Sequence, residues 1–191
     1  MDLILASTSR YRKALLERLG IPFDCVSPKV DESAFKAQIR DPDRLALELA
    51  KAKAHAISRD HPTAVIIGGD QVAACDGGIF DKPGTRQGAI QQLAKLAGKT
   101  HRLYTAIAVW REGEFETILD VAVLKMRALT SDEIERYVAA DSPLDCAGGY
   151  KIESRGIALF EAIESADHTA IEGIPLIALA TLLRRIGFQT P

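Results

Sequence analysis

Short apolar runs alternate along this chain with longer segments of helical period, and that alternation constrains the fold more than any other feature. Runs such as Leu3–Ala6 and Ala64–Ile67 suit a buried strand and are too short for a helix, whereas "RLALELAKAKAHAI" repeats its apolar positions at helical spacing. Interleaving the two types predicts an α/β protein. The pattern opens with a strand at Leu3–Ala6 and a helix at Ser9–Leu19 that Gly20 stops. A second strand is expected at Phe23–Val26, and Asp41-Pro42 opens the long helix, Asp as cap and Pro at the first helical position. Ala64–Ile67 runs into "GGDQ", which predicts a buried strand with a functional loop at its end. A helix at Thr85–Leu96, a hairpin of His101–Trp110 and Phe115–Arg127 around "EGE", a helix at Ser131–Ala140 and an apolar helix at Pro175–Ile186 complete the reading.

At 191 residues the chain suffices for one well-packed core, and a single domain over 1–191 is expected. A net charge of −2 argues against broad nucleic-acid binding, which draws on excess Lys and Arg, while leaving room for a local basic pocket. Cys25, Cys75 and Cys146 lie far apart without C-x-x-C spacing, so neither a disulfide framework nor a zinc knuckle is indicated and a reducing cytoplasm fits. No run approaches the roughly eighteen apolar residues of a membrane span. The apolar C-terminal segment suits either ordinary core packing or a homodimer contact.

Chemistry can be sought first in acidic residues at the ends of apolar runs. Two such places occur, Asp31-Glu32 after "CVSPKV" and Asp70 after Gly68 and Gly69. Glycines tolerate unusual backbone angles and close approach of a ligand. A carboxylate beside them could hold a divalent cation or take a proton from water, and could equally make a turn. Ser7, Thr8 and Ser9 precede a basic helical segment carrying Arg10, Arg12 and Lys13; hydroxyls there cap a helix, and free amides with nearby cations attract anions. Lys53 falls mid-helix and Lys82 in the turn "DKPGT", where a lysine could touch phosphate as a point charge. His55, His61, His101 and His168 have no metal-ligand spacing, and no G-x-S-x-G, Walker or G-x-G-x-x-G motif is present.

Taken together, "LILASTSRYRKALLERLG", "VDES", "LALELAKAKA", "IIGGDQV", "DKPGT", "CAGGYKIES" and "IEGIPLIAL" resemble, in order and spacing over nearly the whole chain, the Maf family of nucleotide pyrophosphatases. The resemblance implies a mixed α/β, ITPase-like sheet flanked by helices around a central cleft. It also implies hydrolysis of a nucleoside triphosphate to monophosphate and pyrophosphate with a divalent metal, Mg²⁺, Mn²⁺ or Co²⁺. Position by position, Asp70 matches the family's proton acceptor and, with Glu32, its metal side. Ser7, Ser9, Arg12, Lys53 and Lys82 match its triphosphate-binding set. Two departures stand out: the usual S-P-R-R start is here Ser9-Arg10-Tyr11-Arg12, and the usual G-K-P turn is Asp81-Lys82-Pro83.

Within the family, Tyr11, Gln71 and Glu153 resemble the members acting on 7-methyl-GTP rather than those acting on dTTP and UTP. Methylation at N7 makes guanine cationic, so stacking on Tyr11 gains a cation–π attraction of about 0.5–2 kcal/mol. A carboxylate such as Glu153 can accept from the guanine N1–H and exocyclic amine. Tyr11 also fits a helical apolar stripe with Leu15 and Leu19. Three functions stay open: a 7-methyl-GTP pyrophosphatase, a dTTP/UTP pyrophosphatase, and a nucleotide-binding regulator of septum formation without turnover.

Overall fold

The computed structural model describes residues 1–190, which divide into two compact units. The first comprises residues 1–71, 105–120 and 167 onward, and the second comprises 72–104 and 121–166. In chain order the elements are β1 (Leu3–Ala6), α1 (Arg10–Glu17), β2 (Asp24–Cys25), α2 (Glu32–Gln38), α3 (Pro42–Ser58), β3 (Val65–Cys75) and β4 (Gly78–Phe80). They continue with α4 (Arg86–Leu96), β5 (Thr100–Arg111), β6 (Glu114–Met126), α5 (Ser131–Asp141), β7 (Phe160–Glu164), α6 (His168–Glu172) and α7 (Leu176–Arg185). Strands β3, β5 and β6 run from one unit into the other, so the chain forms a mixed sheet flanked by helices. No helix among the described residues is long and apolar enough to cross a membrane.

In the first unit the strand order is β2-β1-β3-β5-β6, with β1 parallel to both neighbours. All four residues of β1 are buried, as expected of a parallel strand covered on both faces. Its pleat explains how. Leu3 and Leu5 join Leu15 and Leu16 of α1 and Leu179, Leu182 and Leu183 of α7 in one cluster, while Ile4 and Ala6 pack with Ala54 and Ile57 of α3. The apolar face of α7 is therefore used in this core, which removes the sequence argument for a dimer through that face; Ile177 alone of its large apolar residues is strongly exposed.

In the second unit β4 pairs antiparallel with the far end of β3, β7 pairs antiparallel with β6, and α4 packs against α5. Thr85 caps α4 by accepting from the Gly88 amide, and Thr130 forms a capping box with Glu133 at α5. Under these helices lies a neutral polar cluster. His101, 2% exposed, shares a 3.0 Å hydrogen bond with the Tyr150 hydroxyl, and Phe160 meets the Tyr150 ring edge-on at 5.0 Å. Burial lowers the His101 pKa to about 4, so the imidazole is neutral at pH 7. The Tyr137 hydroxyl accepts from the Lys151 amide at 2.8 Å.

Three expectations need correction. The "GGDQ" segment is not a loop, because β3 continues through Gly68, Gly69 and Asp70 to Cys75, and neither glycine has a positive φ. The Asp31-Glu32 pair opens a helix, α2, with Asp31 as its cap accepting from the Ser33 amide. Asp41 makes no side-chain cap, although its carbonyl accepts from the Leu45 amide and Pro42 takes the first helical position.

Candidate active site

The paired glycines of β3 decide what stands beside Asp70. A Cβ on Gly68 would lie 2.1 Å from the Ala50 carbonyl oxygen and 2.7 Å from the Ala54 nitrogen, so the missing side chain is what lets α3 close onto the strand. Ala50 and Ala54 are buried there, and Lys53, next to Ala54 in sequence, is delivered to the carboxylate two residues beyond Gly68. Gly69 faces the other way: its Cβ would lie 2.9 Å from Ile107 Cδ1 and 3.3 Å from Arg12 Nε. Each glycine is thus needed for close approach by the protein's own chain.

Lys53 Nζ sits 2.6 Å from Asp70 Oδ1 and 2.7 Å from Glu32 Oε1. The Lys53 and Asp70 side chains are each 11% exposed, whereas Glu32 is 39% exposed and also faces Lys36 at 3.5 Å. Arg12 completes the group, donating from Nε to the Gly173 carbonyl at 3.2 Å. Two cations and two carboxylates thus stand together. Burial raises the Asp70 pKa, and Lys53 and Arg12 offset that only in part. For Glu32 burial also pushes upward, but the hydrogen bond and charge of Lys53, aided by Lys36, outweigh it and leave the pKa lowered. Desolvation lowers the Arg12 pKa, with Asp70 and Glu32 pulling the other way.

The opening "STS" serves first as a cap. Ser9 is the N-cap of α1 and its hydroxyl accepts from the Arg12 amide, while the buried Ser7 hydroxyl accepts from the Ser9 amide at 3.1 Å. Tyr11 is partly exposed, with the Arg10 guanidinium 4.8 Å from its ring centroid and Arg10 Nη2 donating to its hydroxyl at 2.7 Å. Gln71 turns to α6: Nε2 donates to Thr105 Oγ1 at 2.9 Å, Ala170 O at 3.0 Å and Ile171 O at 3.1 Å. The first unit therefore brings together Arg12, Glu32, Lys53 and Asp70, with Ser7, Ser9, Tyr11 and Gln71 on the same unit. Lys82 and Glu153 belong to the second unit, Lys82 exposed in the turn before α4 and Glu153 exposed in the turn after Ile152.

Asp70 and Glu32 are the carboxylates of this cluster, and a cation there would share them with Lys53, which faces one oxygen of each, and with Lys36, which faces the other oxygen of Glu32. Hard donors of this kind suit Mg²⁺ or Mn²⁺, which one or two carboxylates commonly hold together with substrate phosphates. Among the described residues no group of three or more His, Cys, Asp and Glu side chains stands ready to hold a metal ion. Sequence reasoning passed over Thr105, the Gly173 carbonyl and the packing role of Gly68. Only the glycine doublet carried a visible signal, since interior strand glycines mark close backbone approach.

The sequence profile of the family described as "Maf-like protein" matches residues 2–186. The chain belongs to the Maf family. A protein of Xanthomonas axonopodis pv. citri named 7-methyl-GTP pyrophosphatase is 49% identical over 99% of this chain and 98% of its own length. Proteins of the same name from Idiomarina loihiensis and Bordetella parapertussis are 42% and 46% identical, covering 99% and 98% of this Maf chain and 96% and 93% of their own lengths. The solved structure of a HAM1 protein from Coxiella burnetii superposes with a TM-score of 0.52 at 15% identity, covering 97% of this chain and 99% of that one, a likeness of fold.

Proposed function

We propose that this Maf protein is a cytoplasmic nucleoside triphosphate pyrophosphatase that hydrolyses 7-methyl-GTP to 7-methyl-GMP and pyrophosphate through a single catalytic domain. The observation that carries the chemistry is Asp70, a buried carboxylate with its pKa raised, 2.6 Å from Lys53 and beside Arg12. A general base works best when its pKa is moved toward the working pH. In this reading Asp70 takes a proton from water as the water oxygen bonds to the α-phosphorus, and the bond to the bridging oxygen breaks to release pyrophosphate. Lys53 and Arg12, with the hydroxyls of Ser7 and Ser9 at the start of α1, bind the triphosphate and stabilise the leaving group, and Lys82 is assigned to the same phosphate-binding role by its motif alone. A divalent cation held by Asp70 and Glu32 would supply charge neutralisation on the phosphate oxygens.

The choice of base draws on the names of the relatives and on Tyr11, Gln71 and Glu153. Tyr11 already faces one cation, Arg10, which supports its capacity to stack on a cationic purine. Gln71, with its amide nitrogen committed to α6, offers its carbonyl oxygen as an acceptor. For Lys82 and Glu153 the assignment rests on the sequence motifs.

Pyrophosphate release measured with Mg²⁺ or Mn²⁺ against 7-methyl-GTP, GTP, dTTP, UTP and CTP tests this reading. A preference for 7-methyl-GTP over GTP is expected. Preference for dTTP and UTP would keep the chemistry and overturn the base assignment, and binding without turnover would favour the regulator of septum formation.

A further inference from the structure

The Thr105 hydroxyl takes no part in the chemistry above, yet it sits where β3, β5 and α6 meet. It is 1% exposed, donates to the Ala170 carbonyl at 2.9 Å and accepts from Gln71 Nε2 at 2.9 Å. With its proton committed to a carbonyl, Oγ1 can only accept from Gln71. The amide nitrogen of Gln71 therefore faces three acceptors, and a flipped amide would set oxygen against all of them. Hydroxyl and amide thus lock each other.

What they lock is the last turn of α6. This helix has only five residues, and side chains supplement the donors to its terminal carbonyls, of which that of Ala170 also accepts from the Gly173 amide at 3.0 Å. Two of them take the Thr105 and Gln71 donors, and the next residue but one after Ile171, Gly173, takes Arg12 Nε. Gly173 also clears the path, because a Cβ there would lie 3.3 Å from Arg12 Cγ. An arginine fixed through Nε keeps its Nη groups as a planar fork for phosphate.

We propose that Thr105 is a positioning residue for Arg12, fixing the end of α6 and, through the Gly173 carbonyl, the plane of the guanidinium that grips the triphosphate. The grip on phosphate rests on the function proposed above; the lock on Arg12 does not.

The test compares Thr105→Val, Thr105→Ser, Arg12→Lys and the double variant Thr105→Val/Arg12→Lys, with KM and kcat for 7-methyl-GTP. Hydrogen exchange of the Arg12 Nε–H, followed by ¹⁵N NMR in the full chain, gives a readout independent of turnover. Thr105→Val should raise KM about threefold to tenfold with kcat little changed, and serine should restore it. Arg12→Lys lacks the Nε donor, so adding Thr105→Val to it should cost little more. The Arg12 Nε–H should exchange faster in the valine variant and at the wild-type rate in the serine variant. Should the valine variant fail to fold, Gln71→Met, which removes the donor to the same carbonyls, should speed that exchange likewise. Unchanged Nε–H exchange in the valine or methionine variant overturns the proposal, as do additive effects of the valine and lysine substitutions. If the wild type hydrolyses no nucleotide, the proposed function fails while the exchange measurement still decides the role of Thr105.

Discussion

Each unit of this protein buries a polar cluster, and the two deal with lost water in opposite ways. In the first unit Arg12, Glu32, Lys53 and Asp70 are brought together with opposed charges, and Asp70 still has its pKa raised because desolvation exceeds the help of its cations. In the second unit His101 and Tyr150 are uncharged, joined by one hydrogen bond and packed on Phe160. Buried ion pairs are weak contributors to stability, since the cost of desolvation consumes the Coulomb gain. A neutral cluster avoids the cost of burying charge, although the buried His101 Nδ1 has no hydrogen-bond partner among the described residues and keeps the smaller cost of an unmet polar atom. The contrast sets a charged cluster, the one the proposed function uses, against a neutral one, and the pH response of each follows with opposite sign. Asp70 holds its proton more tightly folded than unfolded, so it favours the fold in acid and withdraws that support as pH rises through its folded pKa. His101 binds its proton less tightly folded than unfolded, so its support is full above about 6.5 and is lost as pH falls toward about 4.

The largest effect expected is on turnover. Asp70→Asn should lower kcat about 10²–10⁴-fold, the range for loss of a general base, with Tm at neutral pH equal to or above that of the wild type. A marked fall in Tm would mean that the Lys53 pair holds the fold, and the contrast between the clusters would collapse. For the neutral cluster, denaturant unfolding between pH 7 and pH 4 should show a loss on the order of 3 kcal/mol that is absent in His101→Phe. A pH slope that survives the substitution would assign the acid sensitivity elsewhere. Gly68→Ala should destabilise by about 1–3 kcal/mol, as overpacking does, since the new methyl meets the backbone of α3. A variant as stable as the wild type in thermal melts would show that the helix can retreat with Lys53 still in place. Smallest is Arg10→Ala, which clears the cation from the Tyr11 face. It should lower KM for 7-methyl-GTP about twofold to fivefold with GTP unaffected, and equal changes for both nucleotides would rule out stacking on Tyr11.

The parts of the fold legible in the sequence are those with strong period or punctuation. The strand Leu3–Ala6, the helix opened by Pro42 and the helix behind Thr85 fall where apolar spacing, Pro and a capping hydroxyl place them. The hairpin of β5 and β6 turns at Glu112 and Gly113, both with positive φ, as a tight "EG" connection requires. Helix α2 buries none of its residues, so it leaves no periodic trace, and β4, β7 and α6 are too short to do so. In the site, Asp70 and Lys53 stood out as residue types, but their pairing across 17 positions depends on Gly68 admitting α3, which no local pattern encodes. Thr105 escaped notice because a threonine in a strand is unremarkable until its neighbours are known.

Arg12 and Gly173, which share a hydrogen bond, are separated by 161 positions in the chain. At a synthesis rate of about 5–20 residues per second, the arginine waits on the order of 8–30 s for its acceptor to be made. Strand β1 is likewise formed before α7, which covers it. A nascent chain stalled before residue 173 therefore carries Asp70, Lys53 and Arg12 without the carbonyl that takes the guanidinium's Nε–H.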